Sequence, residues 1–257
     1  MNEIKFVKMH GAGNDFIMVD DRELTFPSFD YRRVAAMCTR RIGIGSEGLI
    51  LVQPSDKVDF KMRFFNPDGS EAELCGNGSR CVAAFARSIG AAKADKMAFE
   101  TAAGIISAEV LPGNQVKLEM PEPHDFRDDF CIAGVPHKIK VVEDLVHTDV
   151  EGIGRAIRLS RDFAPEGTNV DFVIYRQPNK VLMRTYERGV EAESGACGTG
   201  ALAAATIGVR DYGLEYPVVV KTMKGYELVV DGNTLTGPYA FVFSGTINFD
   251  SLDSTGE

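Results

Sequence analysis

Two cysteines of this chain, Cys75 and Cys197, stand in the same local pattern of Cys-Gly-x-Gly followed by an alanine-rich run. The second pattern begins 122 residues after the first, in a chain of 257 residues. Small, alanine-rich runs favour helix, so each thiol is predicted to lie where a helix begins. The first N–H groups of a helix have no partner within it and favour a nearby negative charge. We therefore expect this position to lower the pKa of either thiol by about one unit or more.

Two activated thiols on duplicated halves predict a site with one thiol on each side of a substrate. Helix N-termini bind anions, so the same N–H groups are expected to hold a substrate carboxylate. The carbon beside that carboxylate would then lie between the two sulfurs. One thiolate removes the α-proton from one face and the opposite thiol delivers a proton to the other, which inverts the stereocentre. This chemistry needs neither a redox cofactor nor a Schiff-base lysine, and we expect no cofactor.

Other uses of the two thiols remain open on the residues alone. Nucleophilic attack by a Cys–His pair, as in a hydrolase, fits the spacing as well as proton transfer does. A reversible redox switch between Cys75 and Cys197 is a third interpretation, and a binding module without catalysis is a fourth. The usual role of a cysteine is that of a small buried apolar side chain, which we assign to Cys38, Cys81 and Cys131.

The composition excludes several classes of partner. The formal net charge is -9 and no basic cluster is present, which argues against nucleic acid and anionic membranes as partners. No apolar stretch approaches the roughly 18 residues of a membrane helix, and the N-terminus lacks the apolar core of a signal peptide, so a cytoplasmic protein is expected. The five cysteines and four histidines show neither a disulfide framework nor zinc-knuckle spacing, so no metal site is predicted.

The predicted elements repeat one plan in two halves. Each half contains strands, a helix, a Cys-Gly helix and further strands, and the two halves would share a cleft. The predicted helices span residues 30–41, 75–89, 152–160 and 197–210. The turn-rich segment 111–114 is the predicted joint between the halves.

Six short motifs follow one another along the chain. They are MHGAGNDF at residues 9–16, GIGSEGLI at 43–50, the segment from NPDGS to CGNGSRC at 66–81, GTNV at 167–170, YERGV at 186–190 and ACGTG at 196–200. In this order, and over nearly the whole chain, they resemble the diaminopimelate epimerase family. The resemblance implies an isomerase that interconverts LL- and meso-diaminopimelate without a cofactor, in lysine and peptidoglycan-precursor biosynthesis.

The resemblance also implies a fold. It is an α/β fold of the α+β type with two pseudo-symmetric domains, each a mainly antiparallel, barrel-like sheet around a central helix. The active site is expected in the cleft between the domains. The N-terminal domain is assigned to residues 1–113, which carry Cys75, and the C-terminal domain to residues 114–244, which carry Cys197. Residues 245–257 are expected to return to the first domain, and a homodimer is compatible with the sequence.

Roles for individual residues follow from the same resemblance. Cys75 and Cys197 match the two catalytic bases, with His137 supporting the first thiol and Glu187 the second. The carboxylate at the reacting centre would be held at the helix ends by Gly76, Asn77, Gly198 and Thr199. The rest of the small amino-acid substrate would be recognised by Asn14, Asn66, Asn169 and Arg188, with Glu187 also contacting it.

A departure from the family pattern lies at residue 135. Many members have Asn-Pro-His where residues 135–137 of this chain are Val-Pro-His. The asparagine helps to bind the distal carboxylate, whereas Val135 cannot hydrogen-bond through its side chain. Either Asn14, Asn169 and Arg188 suffice for recognition, or the chain is a racemase of another amino acid on the same fold.

Overall fold

The computed structural model describes residues 3–72 and 75–252. These residues form two compact units, one comprising the described residues up to Leu118 and from Tyr239 onward, the other Glu119–Pro238. The strands of the first unit, of which β8 runs one residue into the second, are β1 (Glu3–Gly11), β2 (Asn14–Asp20), β3 (Leu49–Gln53), β4 (Phe60–Phe65), β5 (Glu71–Ala72), β6 (Lys96–Thr101), β7 (Gly104–Leu111), β8 (Gln115–Glu119) and β18 (Ala240–Asn248). The helices of the first unit are α1 (Tyr31–Cys38) and α2 (Gly76–Ser88).

The second unit has the same kinds of element in the same order. Its strands are β9 (His124–Arg127), β10 (Phe130–Ala133), β11 (Val135–Val141), β12 (Asn169–Arg176), β13 (Lys180–Glu187), β14 (Ala192–Ser194), β15 (Val218–Thr222), β16 (Glu227–Asp231) and β17 (Thr234–Pro238). Its helices are α3 (Val150–Arg158) and α4 (Gly198–Asp211). Short 3-10 turns span Arg161–Phe163 in this unit and Phe249–Ser251 in the first.

Strand pairing follows one scheme in both units. In the first unit, β1 pairs antiparallel with β2, β2 parallel with β3, β3 antiparallel with β4, and β4 both antiparallel with β5 and parallel with β6. The second unit repeats these pairings with β10, β11, β12, β13, β14 and β15. Each parallel pair needs a long crossover, and a helix supplies it. The predicted two-unit fold of many strands and few helices, with a repeated plan, is confirmed.

A buried helix lies at the centre of each unit. In α2 the residues from Asn77 to Ala86 are all buried, and in α4 burial extends through most of the helix up to Gly208. A helix that is buried on all sides must be apolar or small on all sides, which explains the alanines after each cysteine. Helix α2 contacts β1, β2, β3, β4 and β7, and α4 contacts β10 to β13 and β15 to β17. The Cys-Gly segments therefore begin the two core helices.

The first helix is shorter than predicted. It begins after its N-cap, Asp30, as predicted, but it ends at Cys38 rather than near residue 41. The loop that follows folds back, so that the N–H of Ile44 bonds to the carbonyl of Met37 and that of Ser46 to the carbonyl of Cys38. These hydrogen bonds satisfy carbonyl groups in the last turn of the helix, which would otherwise need a further helical turn as their partner.

Several short strands were not predicted, among them β5, β9, β14 and β17. A two- or three-residue strand such as β5 or β14 has no periodicity to detect, because it exists only through pairing with the end of a longer strand. The last strand, β18, pairs with β1 from Glu3 opposite Asn248 to His10 opposite Ala240. Strand β18 therefore belongs to the sheet of the first unit.

The joint between the units lies beyond the turn that was expected to mark it. Residues 111–115 form the β7–β8 hairpin, in which Leu111 pairs with Gln115. The chain passes to the second unit after Leu118. The folding domains predicted as residues 1–113 with 245–257, and 114–244, stay a prediction. In the described part of the chain, no helix combines the length and the apolar character needed to cross a membrane.

Candidate active site

Cys75 is the N-cap of α2, as the sequence predicted. Its backbone is extended, with φ -138° and ψ 117°, and its carbonyl accepts the N–H of Ser79 at 2.7 Å. The thiol is only partly buried. A side chain added at Gly76 would meet nothing within 4 Å, so there is room beside the first turn of the helix. An anion could reach the N–H groups of this helix end.

The start of α2 is held in place by two contacts. The Asn77 side-chain oxygen accepts a hydrogen bond of 2.6 Å from Nη2 of Arg80, and both side chains are buried. A Cβ at Gly11 would lie 2.7 Å from the Asn77 carbonyl oxygen, so only glycine fits there. The glycine at the end of β1 therefore lets the helix that carries Cys75 approach the strand closely.

Asn14 and Asn66, both predicted to bind substrate, differ in their surroundings. The Asn14 Oδ1 atom is buried and has no hydrogen-bond partner among the described residues. Asn66 is engaged in a turn, since its side-chain Nδ2 donates to Ser70 Oγ at 3.1 Å and its carbonyl accepts the N–H of Gly69. Asn14 therefore has unused hydrogen-bonding capacity, whereas Asn66 also has a structural role.

Cys197 is the N-cap of α4, in the position that matches Cys75. The thiol is 5 % exposed. Its sulfur accepts the N–H of Gly200 at 3.4 Å and lies 3.4 Å from the Thr199 hydroxyl oxygen. The N-terminal location predicted for both thiols is therefore correct, and Cys197 is the more deeply buried of the two.

The expectation of a lowered thiol pKa is wrong for Cys197. Burial raises its pKa well above the ordinary value, and the nearby carboxylates of Glu187 and Asp171 raise it further. The hydrogen bonds from Thr199 and Gly200 act in the opposite direction but are outweighed. A helix N-terminus is a modest source of stabilisation, whereas removing a thiolate from water is a large cost. Cys197 therefore carries its proton at neutral pH.

Glu187 is the last residue of strand β13, and Arg188 follows it in the turn. Burial raises the pKa of the Glu187 carboxyl. The Arg188 backbone N–H donates to Asn169 Oδ1 at 2.7 Å, and its guanidinium donates to the carbonyl of Glu166 at 3.2 Å. Asn169 is 3 % exposed, and its side-chain oxygen already accepts this hydrogen bond within the protein.

His137 is fully buried and is bonded on both ring nitrogens. Nδ1 lies 2.7 Å from Asp171 Oδ2, and Nε2 lies 3.0 Å from Thr199 Oγ1 and 3.4 Å from Asn169 Nδ2. These contacts connect His137 through Thr199 to Cys197. The role predicted for His137, support of Cys75, stays a prediction.

Sequence reasoning missed Asp171 and Arg80. Asp171 lies within the otherwise apolar strand segment Asn169-Val-Asp-Phe-Val-Ile, where a lone carboxylate is the signal that could have been followed. Arg80 lies one turn into α2, within the stretch from Asn77 to Ala86 that is buried, and a cation there is equally conspicuous. Both residues contact residues that had been predicted to serve the site.

Comparison with known proteins identifies the family of this chain. The sequence profile described as "Diaminopimelate epimerase" matches residues 6–124 and 130–242. The chain is 40% identical over 279 residues to the diaminopimelate epimerase of Aquifex aeolicus (strain VF5), a match that covers 97% of this chain and 100% of that protein. It is 41% identical over 256 residues to that of Chlorobaculum tepidum, with 93% and 99% covered.

Solved structures with low sequence identity share the fold. A Bacillus anthracis phenazine biosynthesis protein of the PhzF family is similar with a TM-score of 0.72 at 18% identity, covering 96% of this chain and 100% of that one. A hydroxyproline epimerase from Agrobacterium vitis is similar with a TM-score of 0.64 at 16% identity, covering 95% and 92%. At these identities the likeness concerns the fold alone.

Proposed function

The chain belongs to the diaminopimelate epimerase family, and from this premise we propose that Cys75 and Cys197 are its two proton carriers. The family interconverts LL- and meso-diaminopimelate, so the protein is an isomerase that acts on a small amino acid. In the proposed reaction, one thiolate removes the α-proton and the other thiol protonates the opposite face. The protein needs no cofactor for this chemistry.

One observation carries the proposal. Each thiol is the N-cap of a buried central helix, and the two helices occupy matching places in the repeated strand scheme. Both helices begin with a glycine, which leaves their first N–H groups unshielded by a side chain. The N–H groups at Gly76, Asn77, Gly198 and Thr199 are suited to hold a carboxylate beside each sulfur.

The two thiols are unequal at rest. Because burial raises the pKa of Cys197, this residue holds its proton and is the acid in the resting enzyme. Cys75, which is more exposed, is then the base. In the reverse reaction the two thiols exchange these roles, since each isomer presents its α-proton to the opposite side.

The remaining polar residues are proposed to recognise the distal part of the substrate. The buried, unpartnered Asn14 Oδ1 suits an ammonium group, which is a donor without acceptors. The Arg188 guanidinium can pair with a carboxylate in a bidentate manner. Asn66 and Asn169 would contribute beside these two residues, and Val135 contributes no hydrogen bond through its side chain.

Deuterium exchange tests the two-thiol proposal. In D₂O, the wild-type enzyme is expected to place deuterium on the α-carbon of LL-diaminopimelate as it inverts it. Cys75→Ala and Cys197→Ala should each lower turnover by about 10³-fold or more, because each removes an acid–base group. Cys81→Ala, in the same helix as Cys75, is the control and should keep activity. Wild-type-like turnover by either of the first two variants would refute the proposal.

A substrate panel tests the departure at Val135. Turnover of LL-diaminopimelate, with little turnover of other amino acids, is expected. Turnover of only a different amino acid would instead make the chain a racemase on the same fold.

We also propose that the protein is a cytoplasmic homodimer. Three consecutive apolar side chains of β18, Phe241, Val242 and Phe243, are each about half exposed, a pattern that suits contact with a second copy. In the described part of the chain, Cys38, Cys81, Cys131 and Cys197 form no disulfide, which suits a reducing compartment. Sedimentation should give a dimer for the wild type and a monomer for Phe243→Asp, with Phe29→Asp at another exposed phenylalanine as the control. A monomeric wild type, or a dimeric Phe243→Asp variant, would exclude this interface.

A further inference from the structure

Arg80 is a buried cation with no role in the reaction as described so far. It lies in α2 and is fully inaccessible to solvent. Burial lowers the pKa of its guanidinium, yet an arginine keeps its charge in proteins. Burying a charge costs much free energy, and a leucine of similar reach would fill the space without that cost. The charge therefore needs a reason other than packing.

The guanidinium of Arg80 lies at the first turn of α2. Helical side chains lean toward the N-terminus of their helix, so that of Arg80 extends back over the preceding turn. Its Nη2 donates to Asn77 Oδ1 at 2.6 Å, and its Nη1 donates to the Gly76 carbonyl at 3.4 Å. Gly76 and Asn77 are the two residues that follow Cys75. The buried positive charge is thus held beside the helix start that carries this thiol.

The charge of Arg80 acts on two thiols that differ in their surroundings. The guanidinium attracts negative charge on both Cys81 and Cys75. Cys81 is fully buried, and burial raises its pKa by more than Arg80 lowers it. Cys75 is only partly buried, has open space beside it at Gly76 and lies among the N–H groups of the helix start. Of these two thiols, Cys75 is the one whose ionisation the charge can favour.

The second unit has no cation at the matching place. Arg80 is the fifth residue after Cys75, and the fifth residue after Cys197 is Leu202, which is also fully buried. Instead, two carboxylates raise the pKa of Cys197. The buried charge near the two thiols therefore differs in sign, positive at the first and negative at the second.

Other charged side chains lie on the strands packed against α2. Those that the structure describes are the ion pairs Lys8–Asp15, Arg22–Asp20, Arg63–Glu71 and Lys96–Glu109, the exposed Glu3, Lys5 and Lys61, and His10, whose Nδ1 accepts the Gly13 N–H. An ion pair has little net charge, and an exposed charge is screened by water and salt. Arg80 is buried and contacts the helix start directly, so its charge acts on Cys75 at closer range.

We propose that Arg80 holds Cys75 as the thiolate of the resting enzyme, by keeping a buried positive charge beside the start of its helix. The proposal rests on the two-thiol function above and deepens it. The S–H bond of Cys75 breaks, its proton passes to water in the open space at Gly76, and the sulfur keeps the electron pair. Arg80 itself transfers no proton and acts only through Cys75.

Such an arrangement gives the two thiols one definite resting state. An enzyme with both thiols protonated has no base, and an enzyme with both ionised has no acid. Only the mixed state can remove a proton from one face of the substrate and deliver one to the other. Buried charges of opposite sign make this mixed state the most populated one near neutral pH.

The pH dependence of alkylation tests the proposal without any activity measurement. Iodoacetamide reacts with thiolates, and mass spectrometry of the peptides follows Cys75 and Cys197 separately. In the wild type, the midpoint of the Cys75 rate should lie below about 8.5, the ordinary value for a thiol. In Arg80→Met it should rise by about one pH unit or more, so that the rate at pH 7 falls about 10-fold. Slow alkylation of the buried Cys197 reports that the variant is folded.

Two further variants separate charge from shape. Arg80→Lys keeps the charge but loses the forked hydrogen bonds, so its midpoint should stay within about 0.5 pH unit of the wild type. Arg87→Met removes an exposed cation from the last turn of the same helix and should change nothing. The acid limb of kcat/KM should move to higher pH in Arg80→Met and stay in place in the other two variants.

Three outcomes would overturn the role of Arg80. They are a wild-type Cys75 midpoint at or above that of an ordinary thiol, an unchanged midpoint in Arg80→Met, and equal shifts in Arg80→Lys and Arg80→Met. The first needs no variant, so the proposal is testable even if Arg80→Met does not fold. An unshifted midpoint alongside an inactive Cys75→Ala would reject the role of Arg80 alone, whereas wild-type-like turnover by Cys75→Ala would reject the two-thiol function itself.

Discussion

At the scale of single residues, the two thiols share a position but not an environment. Both cap a helix, yet Cys197 is buried beside two carboxylates whereas Cys75 is partly exposed. The helix N-terminus therefore does not decide the protonation state of Cys197. Burial and the charges of Glu187 and Asp171 decide it, because the cost of a buried thiolate exceeds the gain from a few N–H groups.

Removing one of these charges should make Cys197 more reactive. Glu187→Gln keeps the size of the side chain but removes a carboxylate that raises the pKa of Cys197, so the thiolate fraction should increase. We expect Cys197 to be alkylated several-fold faster at pH 8. Epimerase activity should fall, because a smaller fraction of the resting enzyme then carries a proton on Cys197. Mass spectrometry of the alkylated peptides measures this. Glu151→Gln, an exposed carboxylate of α3, is the control, and an unchanged or slower rate in Glu187→Gln would contradict the argument.

At the scale of elements, packing explains the second glycine of each Cys-Gly-x-Gly motif, which is Gly78 in the first unit and Gly200 in the second. A Cβ at Gly78 would lie 2.8 Å from the terminal methyl of Ile50. A Cβ at Gly200 would collide with Asp171, whose carboxylate is held by His137 and Thr185. The same motif position thus meets a movable methyl group in one unit and a fixed, buried charge in the other.

This difference predicts unequal costs for two matched substitutions. Gly200→Ala should lower the free energy of unfolding by about 1–3 kcal/mol, because the clash displaces a hydrogen-bonded carboxylate. Gly78→Ala should cost less than about 1 kcal/mol, since the Ile50 side chain can shift and alanine favours helix over glycine. Urea unfolding of both variants measures the costs. An equal or larger cost for Gly78→Ala would show that Asp171 is not held as firmly as described.

At the scale of the whole molecule, buried thiols are spread over both units. Burial raises the pKa of Cys38, in the first unit, and of Cys131, in the second, to about 12 from an ordinary value of 9.0. Burial also raises the pKa of Cys81 and of Cys197. Each thiol is neutral when protonated, so the folded protein binds these protons more tightly than the unfolded chain does. Their contribution to stability is complete below pH 9 and is lost as the pH rises toward 12.

The protein should therefore become less stable in alkali before its tyrosines ionise. Between pH 9 and 10 each buried thiol should reduce the free energy of unfolding by about 1 kcal/mol, as the unfolded chain alone loses protons. Urea unfolding at pH 8, 9 and 10 measures the slope. The double variant Cys38→Ala, Cys131→Ala should have a shallower slope than the wild type, whatever its absolute stability. A free energy of unfolding that stays constant or rises with pH in this range would be inconsistent with buried, protonated thiols.

Much of the fold was predictable because its signals are local. The starts of α2 and α4 at the cysteines, the N-cap at Asp30 and the main strands all follow from patterns within a few residues. The short strands β5 and β14 were not predictable, since they depend on a partner strand rather than on their own residues. The early end of α1 likewise depends on a loop that returns to its last carbonyls.

Residue types and short spacings were enough to identify the two thiols, their places at helix starts and the family, because that information is local in the chain. The bonding of His137 could not be read in this way, since it contacts Asp171 across 34 residues and Thr199 across 62 and these contacts exist only in the folded chain. The protonation of Cys197 likewise depends on folding, because burial and neighbouring charge belong to the packed surroundings and not to the helix that the thiol begins.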